Sequence, residues 1–305
     1  MKNNTAENDF ILLGISDLPE LQFPLFWVLL LIYMATMFGN LIIITLIWVD
    51  VQLHIPMYFF LIHLSVMDIC SSSVSVPKML INLLLSRKTI SFSGCIAQFS
   101  FFIFLACSEC LLLGVMAYDR HVAICHPLRY AAIMTGRLCG QLVTGSWAGG
   151  FIYSLMHTIA TCRLSFCGPR IIHHFFCDVP QIFKLSCTNP FINVVLVFIS
   201  GGIMGLGSFI ITIISYFYII AAILRINSRT GRSKTFSTCT SHLTVVTFYY
   251  GTMFITYFRP VSSYAMSEGR LLSLIYTVIT PLVNPMIYAL RNKEIKAAMK
   301  RALGS

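Results

Sequence analysis

Val194-Val195-Leu196-Val197-Phe198-Ile199-Ser200-Gly201-Gly202-Ile203-Met204-Gly205-Leu206-Gly207-Ser208-Phe209-Ile210-Ile211-Thr212-Ile213-Ile214-Ser215-Tyr216-Phe217-Tyr218-Ile219-Ile220-Ala221-Ala222-Ile223-Leu224 runs for 31 residues without one charged side chain. A helix needs roughly 20 mostly apolar residues to cross the hydrocarbon core of a bilayer, so this stretch predicts a spanning helix. Comparable runs cover 25–49, 57–80, 96–118 and 138–162 before it, and 236–258 and 271–290 after it. The chain therefore reads as an all-α membrane protein: a seven-transmembrane helix bundle over 25–290, flanked by an N-terminal segment, 1–24, and a C-terminal one, 291–305.

Composition points the same way. Of 305 residues, 57% are hydrophobic and 10% charged, where a soluble domain carries roughly 45–50% apolar and about 25% charged residues. A soluble enzyme domain is excluded on that ground. The net charge of +10 rests on 21 Lys and Arg against 11 acids, too sparse to coat a nucleic-acid groove. A lipid bilayer is the expected partner and nucleic acid is not. The N-terminus lacks the charged and apolar regions of a secretory signal, so the first span is expected to direct insertion.

Basic residues set the orientation. Arg120, Arg129, Arg137, Arg225, Arg229, Arg232 and Lys234, joined by Arg291, Lys293, Lys296, Lys300 and Arg301, fall on one side, predicted to be cytoplasmic. The opposite side is near neutral and predicted to face outward. An extracellular N-terminus makes Asn3-Asn4-Thr5 an accessible glycosylation acceptor at Asn3. Beyond the last span, Ile295, Ala298, Met299 and Ala302 recur at helical spacing among basic residues, which predicts a short amphipathic C-terminal helix on the inner leaflet.

Four of eleven cysteines, Cys95, Cys167, Cys177 and Cys187, lie at or beyond the outer face, where oxidation is favoured and three pairings are open. A bridge from Cys95 into 163–193 lays that segment over the bundle as a lid; Cys95 with Cys177 and Cys167 with Cys187 is the expected pairing. His174-Phe175-Phe176-Cys177-Asp178 offers metal-ligand types, but a bridged sulfur is no thiolate ligand.

Asp68 and Glu109 fall near the middles of the second and third spans. An acid at such a depth costs roughly 2.5 kcal/mol or more to insert, and two acids at similar depth repel unless a proton or cation neutralises them. Sodium is the candidate ion, with Asn40 and Asn284 at depths that complete the network. No other cofactor is expected.

Six ordered motifs carry a resemblance: Gly39-Asn40; Leu53-His54-Ile55-Pro56-Met57-Tyr58-Phe59-Phe60-Leu61; Met116-Ala117-Tyr118-Asp119-Arg120-His121-Val122-Ala123-Ile124-Cys125; Ser215-Tyr216; Lys234-Thr235-Phe236-Ser237-Thr238-Cys239-Thr240-Ser241-His242-Leu243; and Pro281-Leu282-Val283-Asn284-Pro285-Met286-Ile287-Tyr288. With them the chain resembles the rhodopsin-like G-protein-coupled receptors and, more narrowly, vertebrate odorant receptors of the tetrapod class II type. Thr235 departs from the family's usual Lys-Ala-Phe, and His121 replaces the Tyr of many rhodopsin-like receptors, as is typical of odorant receptors.

The resemblance implies signalling without catalysis at the plasma membrane of olfactory cilia: an agonist shifts a population, and the inner face promotes nucleotide exchange on a stimulatory, olfactory-type G protein that raises cyclic AMP. Arg120 is then the switch, resting on Asp119 and meeting Tyr216, His242 and the G protein when active, while Asn284 and Tyr288 rearrange. Pro285 removes a backbone bond from the seventh helix, a hinge expected on physical grounds alone. The implied pocket takes Phe102, Ile103, Ala106, Cys107 and Cys110 from the third helix and Ser200, Gly201 and Met204 from the fifth. Tyr250, Met253, Phe254 and Tyr257 join from the sixth, Leu274 and Thr277 from the seventh. Phe102 stands where amine receptors carry an acid and no wall residue is basic, so small, largely apolar volatile ligands with one hydrogen-bonding group are expected. Ser200, Tyr257 and Thr277 offer partners for that group. A transporter or channel would predict internal repeats, which the chain lacks; a receptor for a metabolite or lipid remains the alternative within the same fold.

Overall fold

The computed structural model describes residues 9–15, 18–85, 87–226, 228–257 and 266–304; Asn3 lies outside them. Long helices follow the apolar runs: α1 (Gln22–Val49), α2 (Pro56–Leu84), α3 (Phe92–Cys125), α5 (Gly136–Cys162), α7 (Phe191–Leu224) and α8 (Arg229–Tyr257). The seventh is composite, α9 (Met266–Leu274), a π-helical turn (Ile275–Ile279) and α10 (Thr280–Arg291). Short helices α4 (Tyr130–Ile133) and α6 (Val179–Lys184) sit in the loops after α3 and α5, and α11 (Lys293–Gly304) closes the chain.

The helices overrun their apolar runs, and polar caps set two of the early starts. Ser91 Oγ accepts the Gly94 N–H at 3.1 Å and starts α3 four residues early; Thr135 Oγ1 accepts the Leu138 N–H at 3.3 Å and starts α5. Five of the seven are long and apolar enough to cross a membrane by themselves. Of the other two, α5 carries Gly, Ser and Thr, and α8 begins in a basic turn; at 27 and 29 residues they still reach about 40 Å.

α7 displays the logic of a bilayer. Its buried face is polar or small, with Ser208, Thr212, Ser215 and Tyr216 joined by Ile219 and Ile223. Its outer face exposes Ile203, Ile213 and Phe217. In water that pattern is inside out; in hydrocarbon it places hydrogen-bonding groups where partners exist. Close approach is bought with glycine at Gly150: a Cβ there would lie 2.0 Å from Ser108 Oγ and 2.7 Å from the Phe104 carbonyl oxygen of α3. α3 packs against α2, α5, α7 and α8 and is the axis of the bundle.

The outer end is capped by a three-stranded sheet. β1 (Phe10–Leu12) is its middle strand, antiparallel to β2 (Thr89–Ile90) and parallel to β3 (Ile171–Ile172), in register Phe10 with Ile90 and Leu12 with Ile172. Phe10 and Leu12 are buried and Ile11 exposed, the period of two that a strand imposes. Cys95–Cys177 pins the lid to α3 and Cys167–Cys187 closes it on itself, with Cα separations of 5.5 and 5.7 Å, the pairing expected. At the opposite end α11 lies amphipathically against the bundle with Ile295 and Ala298 buried, and Arg301 pairs with Asp50 at the end of α1.

Candidate functional site

Asp68 of α2 and Glu109 of α3 are buried and meet on one amide. Asn284 Nδ2 of α10 donates to Asp68 Oδ1 at 3.0 Å and Oδ2 at 3.2 Å, and lies 3.5 Å from Glu109 Oε1. Asn40 does not bond the acids. Its amide donates instead to the carbonyls of Thr36 at 3.0 Å and Pro281 at 3.2 Å. Pro281 stands four residues before Pro285, whose ring nitrogen has no hydrogen to give it, so Asn40 serves the acceptor that the proline strands. The Pro285 ring packs over Gly39, where a Cβ would sit 3.5 Å from its Cγ. No three His, Cys, Asp or Glu side chains converge as a metal centre among the described residues.

Two separate polar pairs occupy the half of the bundle away from the lid. Arg120 binds Asp119 Oδ2 through Nη2 at 2.5 Å and Nε at 3.0 Å, while Tyr130 of α4 donates to Asp119 Oδ1 at 2.7 Å. Tyr216 of α7 and His242 of α8 stack with ring centroids 5.8 Å apart and share a 2.7 Å bond from hydroxyl to Nδ1. The Tyr288 hydroxyl is buried with no hydrogen-bond partner among the described residues.

The expected pocket residues divide into groups. Phe102 stacks near Phe176 of the lid and Tyr276 of the π turn, with centroids 5.2 and 5.5 Å away, and Leu274 packs on the same cluster. Below it the carbonyls of Ala106 and Cys110 accept bonds from α8 and α7: Tyr249 Oη to Ala106 at 2.5 Å, Ser208 Oγ to Cys110 at 2.6 Å, with Tyr250 Oη 2.7 Å from Ser208 Oγ. Met253 packs against that core, and Cys107 is buried beside it on α3. Thr277 is buried and spends its hydroxyl on the Ser273 carbonyl at 2.7 Å. Ile103 belongs to the cluster beneath the lid with Phe99 and Ile182.

Ser200, Gly201 and Met204 turn towards α5 instead. Ser200 Oγ lies 3.0 Å from His157 Nε2, a Cβ on Gly201 would meet Tyr153 Oη at 2.9 Å, and Met204 Cε lies 3.5 Å from where a Cβ of Gly149 would be. Phe254 is 63% exposed. The buried stripe of α8 runs through His242, Val245, Val246, Tyr249 and Thr252, and Phe254 falls two residues past it, on the outer surface. α8 ends at Tyr257, whose side chain lies outside the described residues.

The lid is buttoned to the seventh helix through polar groups. His174 Nε2 lies 3.0 Å from Ser273 Oγ, Tyr276 Oη donates to the same oxygen at 3.0 Å, and Asp178 bonds the Tyr276 side chain. Burial, and then Arg270, push the His174 imidazole down to about 3. Burial pushes the Asp178 carboxyl up to about 7, outweighing its bonds from the Val179 N–H and Tyr276.

Over residues 29–305 the chain matches the family model described as olfactory receptor. The chain belongs to the olfactory receptor family. It is 48% identical to Homo sapiens olfactory receptor 5G3 and 51% identical to Mus musculus olfactory receptor 5G9, each over 302 residues, 99% of this chain and 96% of the relative. Among solved structures it is similar to squid rhodopsin, at 16% identity with a TM-score of 0.69, covering 94% of this chain and 86% of that one. The fold of this olfactory receptor is thus that of a rhodopsin-like G-protein-coupled receptor, a multi-pass membrane protein and not an enzyme.

Several residues of the olfactory receptor's site carry no motif in the sequence. Tyr130 secures Asp119 from a separate short helix, and Tyr249 and Ser208 stitch α8 and α7 to α3. Gln98 bridges the Val74 carbonyl of α2, 3.0 Å from Nε2, and the Cys177 N–H of the lid, 3.0 Å from Oε1. The available signal was polarity at helical spacing inside an apolar run, which marks buried polar groups without naming their partners.

Proposed function

We propose that this olfactory receptor binds small, largely apolar volatile molecules in the outer half of its bundle and activates a stimulatory, olfactory-type G protein, raising cyclic AMP. The observation that carries the proposal is the cytoplasmic arrangement of Arg120 on Asp119 and Tyr216 on His242, two closed pairs that an activated state can exchange for new partners. An agonist that binds the exchanged state better shifts the population towards it. In the outer half, the aromatic surfaces of Phe102, Phe176 and Tyr276 and the hydroxyls of Tyr250 and Ser208 are suited to ligands with one polar group. With the lid and its disulfides at the outer end of α3 and Arg120 towards the inner end, the N-terminus faces outward, at the plasma membrane of sensory cilia.

Cells expressing the chain with an olfactory-type stimulatory G protein, exposed to a panel of volatile alcohols, ketones, esters, acids and amines, provide the test. A dose-dependent rise in cyclic AMP is expected and should vanish in Arg120→Ala at equal surface expression. A response that survives that substitution contradicts the switch.

The Asp68–Glu109–Asn284 node is proposed to hold sodium. The fit is in the donor set: two buried carboxylates offer hard oxygen ligands and carry between them more negative charge than one amide can offset. Sodium in place of choline at equal ionic strength should raise the thermal midpoint of the purified receptor, and Asp68→Asn should remove the difference; equal midpoints in the two salts for the unmodified chain refute it.

A further inference from the structure

A cavity of about 430 Å³ lies in the outer part of the seam between α2 and α3, apart from the acidic node; Val74 of its wall also packs against the aromatic cluster of Phe102 and Phe176. Val74 and Lys78, four residues apart, form its wall on α2; Gly94, Ala97 and Phe101 form a single helical stripe on α3. Ala97 is exposed and Phe101 is 57% exposed, so the cavity opens sideways, towards the region of the bilayer and not into the bundle. Its outer rim is polar, with Thr89 and Ser91, and its inner part is apolar, with Val74, Ala97 and Phe101.

Lys78 is the only basic residue of α2. It sits six residues inside the helix's outer end at Leu84, about 9 Å along the axis. Among the described residues its ammonium makes no hydrogen bond or ion pair. A cation at that depth is costly unless its head reaches the headgroup level or meets an anion. The described residues supply no anion here, yet they supply room for one beside a polar rim with an apolar trough below.

We propose that this cavity binds an outer-leaflet phospholipid, with the phosphate at Lys78 beside Thr89 and Ser91 and one acyl chain lying over Ala97 and Phe101. Lysine binds phosphate as a point charge, and the apolar trough distinguishes a lipid from a free anion. Gln98 also lines the cavity and is the strut between the α2 backbone and Cys177 of the lid, so the lipid bound there buttresses the seam on which the lid is hung.

The test uses the full chain purified in detergent, incubated with phosphatidylcholine carrying a photoreactive diazirine on one acyl chain, then irradiated and peptide-mapped. Labelling should concentrate on peptides containing Val74, Ala97 and Phe101, fall about tenfold in Lys78→Gln, and return in Lys78→Arg. Ala97→Trp should also reduce it by filling the trough without touching the charge. A diacylglycerol bearing the same chain but no phosphate should label weakly, a comparison made on the unmodified receptor that needs no variant to fold. Labelling spread evenly over the outer helix faces and indifferent to Lys78→Gln would overturn the site, leaving only shell lipid. Equal labelling by the diacylglycerol would overturn phosphate recognition. Displacement of the lipid probe by millimolar inorganic phosphate would overturn the choice of a lipid over a free anion.

Discussion

Tyr130 contributes one hydrogen bond, but it goes to a buried carboxylate. Bonds to charged groups are worth about 1.5–3 kcal/mol, and this one holds Asp119 in place to receive Arg120. Tyr130→Phe should therefore weaken the closed pair without deleting either charge, and ligand-free cyclic AMP, normalised to surface receptor, should rise several-fold. No rise at normal expression would mean that Asp119 holds Arg120 unaided. The Asp119-Arg120 pair was legible because the two residues are adjacent in the sequence, and Pro285 because its chemistry is local. Tyr130 was not, since eleven positions and a change of element separate it from Asp119. Asn40 was legible as a polar group inside the first span, but the carbonyls of Thr36 and Pro281 that its amide bonds were not: sequence locates a buried amide on a helix without naming the backbone groups it meets.

Between elements, the determining quantity is how near two helix axes come. Gly150 lets α5 touch the backbone of α3, whereas a Cβ on Gly202 would meet nothing within 4 Å. Gly150→Leu should thus cost several kcal/mol through overpacking and sharply reduce surface expression, while Gly202→Ala should leave both expression and thermal midpoint unchanged. Similar losses at the two positions would show that the close approach at Gly150 is not what distinguishes it, since helix propensity alone favours replacing either glycine. The long helices were visible as apolar runs, and the early starts of α3 and α5 trace to the caps Ser91 and Thr135, which a hydropathy reading ignores. Phe254 was misplaced for a related reason. Helical rotation over a long, uniformly apolar stretch cannot be phased until one buried residue, here Tyr249, is known.

Across the whole molecule, the docked lid carries two titrating groups that oppose each other. His174, held at about 3 against an ordinary 6.5, contributes stability that is complete above pH 6.5 and is lost as pH falls towards 3. Asp178, held at about 7 against an ordinary 3.8, contributes stability that is complete below pH 3.8 and is lost as pH rises towards 7. Between pH 3.8 and 6.5 the two slopes have opposite sign. The thermal midpoint of the unmodified receptor should be nearly flat over that window; Asp178→Asn should make it fall towards acid, and His174→Asn should make it fall towards neutrality. The same pH profile in all three proteins would exclude these groups as the source. None of this balance was legible in the sequence, where His174 and Asp178 are two loop residues and their partners Ser273 and Tyr276 lie about a hundred positions away.

The middle strand of the three-stranded sheet precedes both of its partners along the chain. β1 bonds to β3 across 160 residues, Ile11 to Ile171, and a ribosome delivers that partner only after four helices have been threaded into the membrane. Until then β1 has only β2 to pair with, and Cys95 must wait for Cys177. Completion of the cap is therefore a late event in biogenesis even though its middle strand precedes every long helix. A receptor whose fourth long helix fails to insert would leave one edge of its N-terminal strand open, in view of the chaperones that decide whether a protein leaves the endoplasmic reticulum.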